Sequence, residues 1–296
     1  MSDAGADLDF MERANRLAEM ARQRGDTEAT EPQPKTKGEV IQFPLWPEPE
    51  RAAPNAFLRS ALFGVVRKGE RRYCEQEKLA AWPDTELAYT GQQLDQYDED
   101  VWMQLAHLYR LQGVNPGRPI YVNAKSRSFM RGFGRSRPGT RAAKAFYASV
   151  CRMEACGIHL TQKINGQEVE YIGNLVQKAA RIKGEECWAI VLNPDLVPYF
   201  APGHYSRIDW DARLQLKSDL ARWLHGYVAS HQATPKHPHR IAVARLHELS
   251  GSNALLKRFR FNVKQAMAEL ARTNQVLSWR LTEADALEFV RRFKAD

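Results

Sequence analysis

The residues best suited to binding chemistry lie near the C-terminal end, in a predicted amphipathic helix from Asn253 to Thr273. One face of that helix is apolar at helical spacing and is expected to pack on a core, through Leu256, Phe259, Val263, Met267 and Leu270. The opposite face is basic and carries one aromatic ring, with Lys257, Arg258, Phe261 and Lys264. No acidic residue occurs between Leu255 and Ala268. An anchored helix with cations on its free face suits the major groove of DNA, although a solvated basic surface would give the same pattern.

The residues of this basic face predict different contacts. Lys257, Arg258 and Lys264 can reach guanine edges or phosphates. Phe261 can contact a thymine methyl group. Arg260 lies at the edge of the apolar stripe, which suits an orienting role or a phosphate contact.

Two polar residues precede the helix, Ser252 and Asn253. Either side chain can cap free backbone N–H groups at a helix start. The same end of the helix can face a phosphate, so we include Asn253 among the candidate DNA contacts.

A second cationic block lies in the first half of the chain. Its seven cations occupy a segment without Asp or Glu: Lys125, Arg127, Arg131, Arg135, Arg137, Arg141 and Lys144. A β-hairpin further on adds Lys178, Arg181 and Lys183. Like charges held together are costly unless a polyanion neutralises them. Ser and Gly residues between the cations allow close approach to a backbone, so we expect mainly phosphate contacts, with a merely solvated surface as the alternative.

The elements around this block follow the order of a winged helix. A short helix and two strands come first, at Asn55–Arg67, Arg72–Glu75 and Glu86–Thr90. The later elements are a helix, a small strand, a short helix, a long helix and two long strands: Asp98–Gln112, Ile120–Val122, Lys125–Met130, Thr140–Ala155, Val169–Ile182 and Glu186–Leu192. Lys183-Gly184 between the two long strands is a hairpin signal, and this hairpin would be the wing.

The second half of the chain repeats that order in outline. Its predicted elements are a helix, a short helix, the basic helix, a strand and a closing helix: Arg213–Ser230, Ala242–Ser250, Asn253–Thr273, Val276–Leu281 and Leu287–Phe293. The second wing is expected to be short. Residues 1–54 differ from the rest, since they are polar and rich in proline, and we expect a flexible arm there. The prediction is an α+β fold with that arm before two tandem winged-helix domains, residues 55–203 and 204–296.

Composition limits the classes of partner and site. The net charge of +8 and a pI near 9.3 favour a polyanionic partner. No apolar run reaches the length of a membrane span and no signal peptide is evident, so we expect a cytoplasmic protein with no membrane partner. The cysteines at 74, 151, 156 and 187 form no CxxC pair and are expected to be reduced core thiols. We expect no metal and no cofactor.

An enzymatic role is not expected. His237-Pro238-His239 superficially resembles the paired histidines of rolling-circle nickases, but a proline separates them and no nearby carboxylate completes a site. The chain has no phosphate-binding loop and no nucleophile elbow. We therefore predict no catalytic residue, and opening of DNA would have to use binding energy and partner ATPases.

Several segments resemble the TrfA family of plasmid replication initiators. They are Pro54–Phe63, Leu87–Leu94, Asp98–Trp102 and Gly203-His204-Tyr205. The resemblance covers roughly Gln42 to the C-terminus. It implies a bacterial, plasmid-encoded protein with two winged-helix domains that binds repeated origin sites, called iterons, in double-stranded DNA. It further implies a role in opening the origin and in recruiting the host initiator, helicase loader and helicase, and a homodimer in equilibrium with the monomer.

With that family in view, Gln42-Phe43-Pro44-Leu45-Trp46 resembles the peptide through which bacterial proteins bind the sliding clamp. Gln42 would be the polar anchor, while Leu45 and Trp46 would fill apolar pockets. Phe43 and Trp46 stand where Leu and Phe are commoner. The alternative is that these residues pack on their own first domain.

We expect different roles for the two domains. The first would serve dimerisation and phosphate contacts, and the second sequence-specific binding. A winged-helix transcriptional repressor, including one that represses its own gene, is the alternative function. Such a repressor would need one DNA module with a ligand or dimer domain, and it should lack the clamp-like arm.

Overall fold

The computed structural model describes residues 42–67, 69–134, 139–181 and 187–293. Residues 1–41 of the predicted arm lie outside the described residues, as do Arg135, Arg137 and Lys183 of the candidate DNA contacts. The first elements are β1 (Glu50–Pro54), α1 (Asn55–Leu58), β2 (Phe63–Gly64), β3 (Tyr73–Lys78), β4 (Thr85–Gln92) and β5 (Leu94–Asp95). The helix predicted over Asn55–Arg67 is thus a single turn, because the chain then enters β2, which pairs in parallel with β5.

The next elements supply a three-stranded sheet, the helices packed on it and two strands of a separate sheet. They are α2 (Gln96–Gln112), β6 (Ile120–Asn123), α3 (Arg127–Arg131), α4 (Thr140–Glu154), β7 (Gly157–Ile164), β8 (Gln167–Gly173), β9 (Val176–Ala180) and β10 (Cys187–Leu192). A capping box between Asp95 and Asp98 starts α2, and Gly113 in the left-handed region ends it. The sheet has the strand order β6-β10-β9.

The strand predicted over Val169–Ile182 is two strands, β8 and β9. Asn165 and Gly166, both at positive φ, join β7 to β8 in a tight hairpin. This hairpin extends β3 and β4 into a four-stranded antiparallel sheet, in the order β3-β4-β7-β8. The Asn-Gly pair is the sequence signal for this hairpin, and the prediction overlooked it.

The second half adds a 3-10 helix (Pro194–Phe200), β11 (Tyr205–Asp209), α5 (Trp210–Gln215), α6 (Asp219–Ala229), β12 (His239–Ala242), α7 (Val243–Leu249), α8 (Leu256–Arg272), β13 (Val276–Leu281) and β14 (Ala286–Arg291). The closing segment, predicted as a helix over Leu287–Phe293, is the strand β14. It lies between β12 and β13, so the sheet order is β12-β14-β13 and repeats that of the first sheet. The strands of the second hairpin are as long as those of the first, so the expectation of a short second wing is wrong.

Residues 42–54 belong to the folded molecule, which corrects the predicted boundary of the arm. β1 pairs antiparallel with β11, with Arg51 opposite Ile208. Phe43 and Trp46 are only 7% and 2% exposed and join the core of the first half. Burial of two aromatic side chains offsets the entropy lost by ordering this segment.

The boundary predicted between residues 203 and 204 also shifts, to about residue 215. Ile208 and Trp210 pack in the first core, whereas the second core begins at Leu216. We call residues 42–215 the first unit and residues 216–293 the second unit. Since β1 and β11 form one ladder, a cut at residue 203 would separate paired strands.

Polar contacts join the two units. The fully buried Arg213 side chain donates to Glu99 Oε2 (2.8 Å) and Gln96 Oε1 (3.1 Å) and pairs with Asp100 on α2, while it also donates to the backbone oxygen of Arg222 (3.1 Å). Elsewhere the Val65 amide donates to the Ser250 carbonyl oxygen (2.7 Å), just before α8. The helix-turn-helix segment of the second unit is thereby fixed to the first unit.

Candidate nucleic-acid interface

The helix α8 has the two faces that its sequence predicts. Phe259, Val263, Met267 and Leu270 are buried in the second core, and Leu256 is half-buried at its edge. The side chains of the opposite face are exposed: Lys257, Arg258, Phe261 and Lys264. Among the described residues, no carboxylate pairs with the three cations of this face. Two small exposed residues, Ala268 and Ala271, continue the same face and leave room for close approach.

The start of α8 differs from the prediction. Leu255 is the N-cap and no side chain caps the helix. Asn253 Nδ2 donates instead to Glu70 Oε2 at 3.2 Å, and Ser252 Oγ accepts from the Ala254 amide at 3.4 Å. The predicted cap is therefore wrong, because Ser252 and Asn253 lie in the loop before α8 and their side chains make these other hydrogen bonds. A DNA contact by Asn253 stays a prediction.

Arg260 is committed to an ion pair within the second unit. Its Nε and Nη2 donate to the two carboxylate oxygens of Asp285 at 2.7 and 2.6 Å. This hydrogen-bonded pair raises the pKa of Arg260 and lowers that of Asp285. Asp285 lies in the turn between β13 and β14, so the pair joins α8 to the hairpin. The geometry supports the orienting role predicted for Arg260, while its phosphate contact stays a prediction.

The two β-hairpins differ in the charged side chains that they present. The turn from Thr282 to Asp285 contains two carboxylates and no Lys or Arg. On the first unit, Lys178 on β9 and Arg181 just after it are exposed, and the guanidinium of Arg181 lies 5.0 Å from the Trp188 ring centroid. The exposed cation of the second hairpin, Arg280 on β13, is instead paired with Glu288 at 2.8 Å.

The cations of the first unit lie on or next to the helices α3 and α4 and on the β9–β10 hairpin. The described members are all exposed: Lys125, Arg127, Arg131, Arg141, Lys144, Lys178 and Arg181.

The long helix α4 that carries Arg141 and Lys144 is held by a buried carboxylate, Asp98 on α2. Asp98 accepts from Ser149 Oγ and from Arg152 Nη2, each at 2.6 Å, and from Arg71 Nη1 at 2.7 Å. Burial alone would raise the pKa of Asp98, but the two guanidinium groups hold it below its ordinary value.

The clamp-like segment is packed on its own unit. Trp46 Nε1 donates to His107 Nδ1 at 3.1 Å, and the Phe43 ring centroid lies 4.8 Å from that of Phe200. Only Gln42 and Leu45 face solvent, Leu45 being 84% exposed. The expectation that Trp46 is free to enter a partner's pocket is therefore wrong in this conformation, because its own core takes the indole.

The two histidines of His237-Pro238-His239 have different surroundings. The His239 ring lies 4.0 Å from the His231 ring, centroid to centroid, and its Nε2 is 2.9 Å from the hydroxyl oxygen of Tyr227, whereas His237 is exposed. Burial lowers the pKa of His239 to about 4 and that of His231 to about 3. No group of three His, Cys, Asp or Glu side chains within the described part of the chain could hold a metal ion.

One residue that sequence reasoning missed is Leu255, whose side chain is 83% exposed at the tip of α8. Its position off the apolar stripe was the available signal.

In the part of the chain that the structure describes, none of the helices has the length and apolar character of a membrane span.

Sequence comparisons place the chain among known proteins. A family model described as TrfA protein matches residues 12–290. The plasmid replication initiator protein TrfA of Escherichia coli is 26% identical over 231 residues, which are 76% of this chain and 58% of that protein. The chain thus spans less than two thirds of that relative's length.

Structural comparisons give likenesses at low identity. Domains 2 and 3 of RctB match with a TM-score of 0.56 and 10% identity, covering 82% of this chain and 99% of theirs. The Pi initiator protein in complex with iteron DNA gives a TM-score of 0.49 and 17% identity, covering 68% of this chain and 93% of that one. The RctB match shows similarity of fold alone.

Proposed function

The chain belongs to the TrfA protein family, and we propose that it is a plasmid replication initiator that binds iteron repeats in double-stranded origin DNA. The observation that carries this proposal is the free face of α8. It presents Lys257, Arg258 and Lys264 without a carboxylate partner among the described residues, while the other face is anchored in the second core. Such a helix suits the major groove.

We propose that each unit is built on a winged helix. In both, a helix is followed by a strand, two further helices and a β-hairpin, and the third strand of the sheet lies in the middle. The second helix-turn-helix segment would read bases through α8. The first, which carries exposed cations on α3 and α4 and a basic hairpin, would contact phosphates.

The proposal also includes recruitment of host replication proteins and opening of the origin, with no catalytic step by this chain. We propose the sliding clamp as one partner, with a condition that the geometry sets. Gln42 and Leu45 are accessible, but Phe43 and Trp46 would have to leave the core before all four residues could dock. A monomer–dimer equilibrium through the first unit belongs to the same proposal.

Clamp binding is tested with the full chain and a purified bacterial sliding clamp in a pull-down. Leu45→Ala is expected to reduce capture without changing thermal stability, since the side chain is exposed. Binding by the wild type should change the fluorescence of Trp46 as the indole leaves its pocket. If the wild type is not captured at all, residues 42–46 act only as a structural strap.

A plasmid-maintenance test distinguishes the initiator from a repressor. A replicon that carries this gene and its neighbouring repeats is placed in a host without another initiator. Replication that is lost in a Lys257→Ala, Arg258→Ala double variant, at normal protein levels, supports the proposal. Failure of the wild type to replicate, with regulated transcription of the gene, would support the repressor instead.

A further inference from the structure

Two large apolar side chains face solvent at the start of α8. Leu255 is 83% exposed and Phe261 is 48% exposed. Neither belongs to the core of the second unit, which α8 builds with its opposite face. Isolated apolar residues on a surface are ordinary. These two, however, lie beside the cations Lys257 and Arg258, Phe261 on the helix face that we assign to DNA and Leu255 at the N-terminal end of the helix.

The Phe261 ring and the backbone before Leu255 each have a defined contact. The guanidinium of Arg258 lies 5.0 Å from the Phe261 ring centroid, and this cation–π contact orients the ring. Leu255 follows a loop that is fixed by contact between His247 Nε2 and the Ala254 carbonyl oxygen at 2.8 Å. Phe261 and Leu255 thus place apolar groups beside free cations. This arrangement suits a ligand that is anionic and also exposes an apolar group.

We propose that Leu255 and Phe261 contact the C5 methyl groups of thymines in the major groove, so that the second unit selects sites with thymine at two positions. The inference rests on the proposed function. Thymine is the base that presents a methyl group there, beside its O4 acceptor. A leucine or phenylalanine side chain has no hydrogen bond to offer a base edge, and it gains affinity by removing such a methyl group from water.

The spacing of the two side chains limits where the thymines lie. Phe261 lies six positions after Leu255, which corresponds to about 9 Å along a helix axis. Base pairs stack about 3.4 Å apart along each strand. The two thymines should therefore lie about two or three base-pair steps apart, counted along the groove.

The test starts from a library of duplexes with a randomised central segment, from which the wild-type protein selects its preferred sequence. Each thymine of that duplex is then replaced in turn by deoxyuridine, which removes only the methyl group. Wild-type affinity is expected to fall about three- to tenfold at two positions. Leu255→Ala should abolish the effect at one position and Phe261→Ala at the other.

Ile172→Ala is the matched control, because this exposed side chain lies on β8 of the four-stranded sheet and not on either cationic surface. It should keep the full response to deoxyuridine, and thermal denaturation should show all three variants folded. Equal wild-type affinity for every deoxyuridine duplex would overturn the inference, as would an unchanged pattern in both α8 variants. In either case sequence selection would leave the proposed function standing, whereas failure to select any sequence would overturn both.

Discussion

At the scale of single residues, ion pairing with a carboxylate distinguishes the cations that are available to DNA from those that hold the protein together. Lys257, Arg258 and Lys264 extend from α8 without a carboxylate partner among the described residues, whereas Arg260 is paired with Asp285. In sequence all four belong to one basic run. Only the three unpaired cations keep their whole charge available for a polyanion.

Substitution of a free cation should weaken DNA binding and leave the fold intact. Lys257→Ala and Arg258→Ala are each expected to cost about 1–3 kcal/mol if the side chain reads a base, and to lower the salt slope by about one ion if it contacts a phosphate. Fluorescence anisotropy at several salt concentrations measures both. Lys163→Ala on β7 is the control, since Lys163 is exposed on the four-stranded sheet. Wild-type affinity of both α8 variants at physiological salt would contradict the assignment.

The Arg260–Asp285 pair predicts an opposite effect. Asp285→Asn removes a carboxylate close to α8 and frees the guanidinium of Arg260, so DNA affinity at low salt should rise several-fold. Arg260→Ala should instead leave Asp285 unneutralised and lower affinity. Binding titrations of both variants check this, and a loss of affinity in Asp285→Asn would mean that the pair's orienting role outweighs its charge.

At the scale of elements, the segment before β1 changes from a predicted free peptide to part of the core. Trp46 and Phe43 lie among the aromatic rings of the first unit, although prolines on both sides keep the chain out of helix and sheet. Apolar burial, which the local sequence does not report, decided this outcome. The same segment therefore contributes to stability whether or not it also meets a partner.

Truncation of the buried indole should destabilise the protein. Trp46→Ala is expected to lower the free energy of unfolding by about 3–5 kcal/mol, since it leaves a cavity and an unpaired His107 nitrogen. Leu45→Ala, one residue away and exposed, should change it by less than about 0.5 kcal/mol. Denaturant unfolding measures both changes. Equal stability of the two variants would show that residues 42–46 do not pack as described.

At the scale of the whole molecule, buried histidines make the stability of the fold depend on pH. Four buried or half-buried histidines have a lowered pKa, near 3 for His107, His225 and His231 and near 4 for His239. Burial is the main cause in each case. The unfolded chain therefore takes up protons before the folded protein does.

The stability that these neutral rings contribute should accordingly be complete above about pH 6.5 and fall as the pH drops from there toward about 3, the pKa of three of the four rings in the fold. Each histidine that stays neutral in the fold contributes a slope of about 1.4 kcal/mol per pH unit. His225→Gln is expected to reduce the slope by about that amount. Denaturant unfolding at pH 7, 6 and 5 measures the slope, and a flat profile over this range would contradict the burial of these rings.

The presence of two cationic surfaces in one molecule predicts a steep salt dependence of DNA binding. The slope of log affinity against log salt is about 0.9 per phosphate neutralised. If both units bind, replacing Arg141 and Lys144 together by Ala should lower that slope by about two. An unchanged slope in this double variant would show that the first unit does not touch the DNA.

The sequence by itself determined the features that depend on near neighbours. The two faces of α8 follow from a period of 3.6 residues. The capping box of Asp95 and Asp98 is equally local, although the prediction overlooked it and began α2 at Asp98. The cationic block before α4 and the family resemblance could also be read directly. Each of these signals lies within one stretch of chain.

Tertiary structure alone decided the features that need a distant partner. Trp46 meets His107 across 61 residues and Arg213 meets Glu99 across 114, so neither burial could be read from local composition. The segment from Ala286 to Arg291 has a spacing that suits either a helix or a strand, and pairing with β12 and β13 selected the strand. Arg260 likewise became an internal ion pair only when the hairpin brought Asp285 to α8. Local periodicity fixes which face of an element is apolar, but burial and charge pairing depend on which elements the fold brings together.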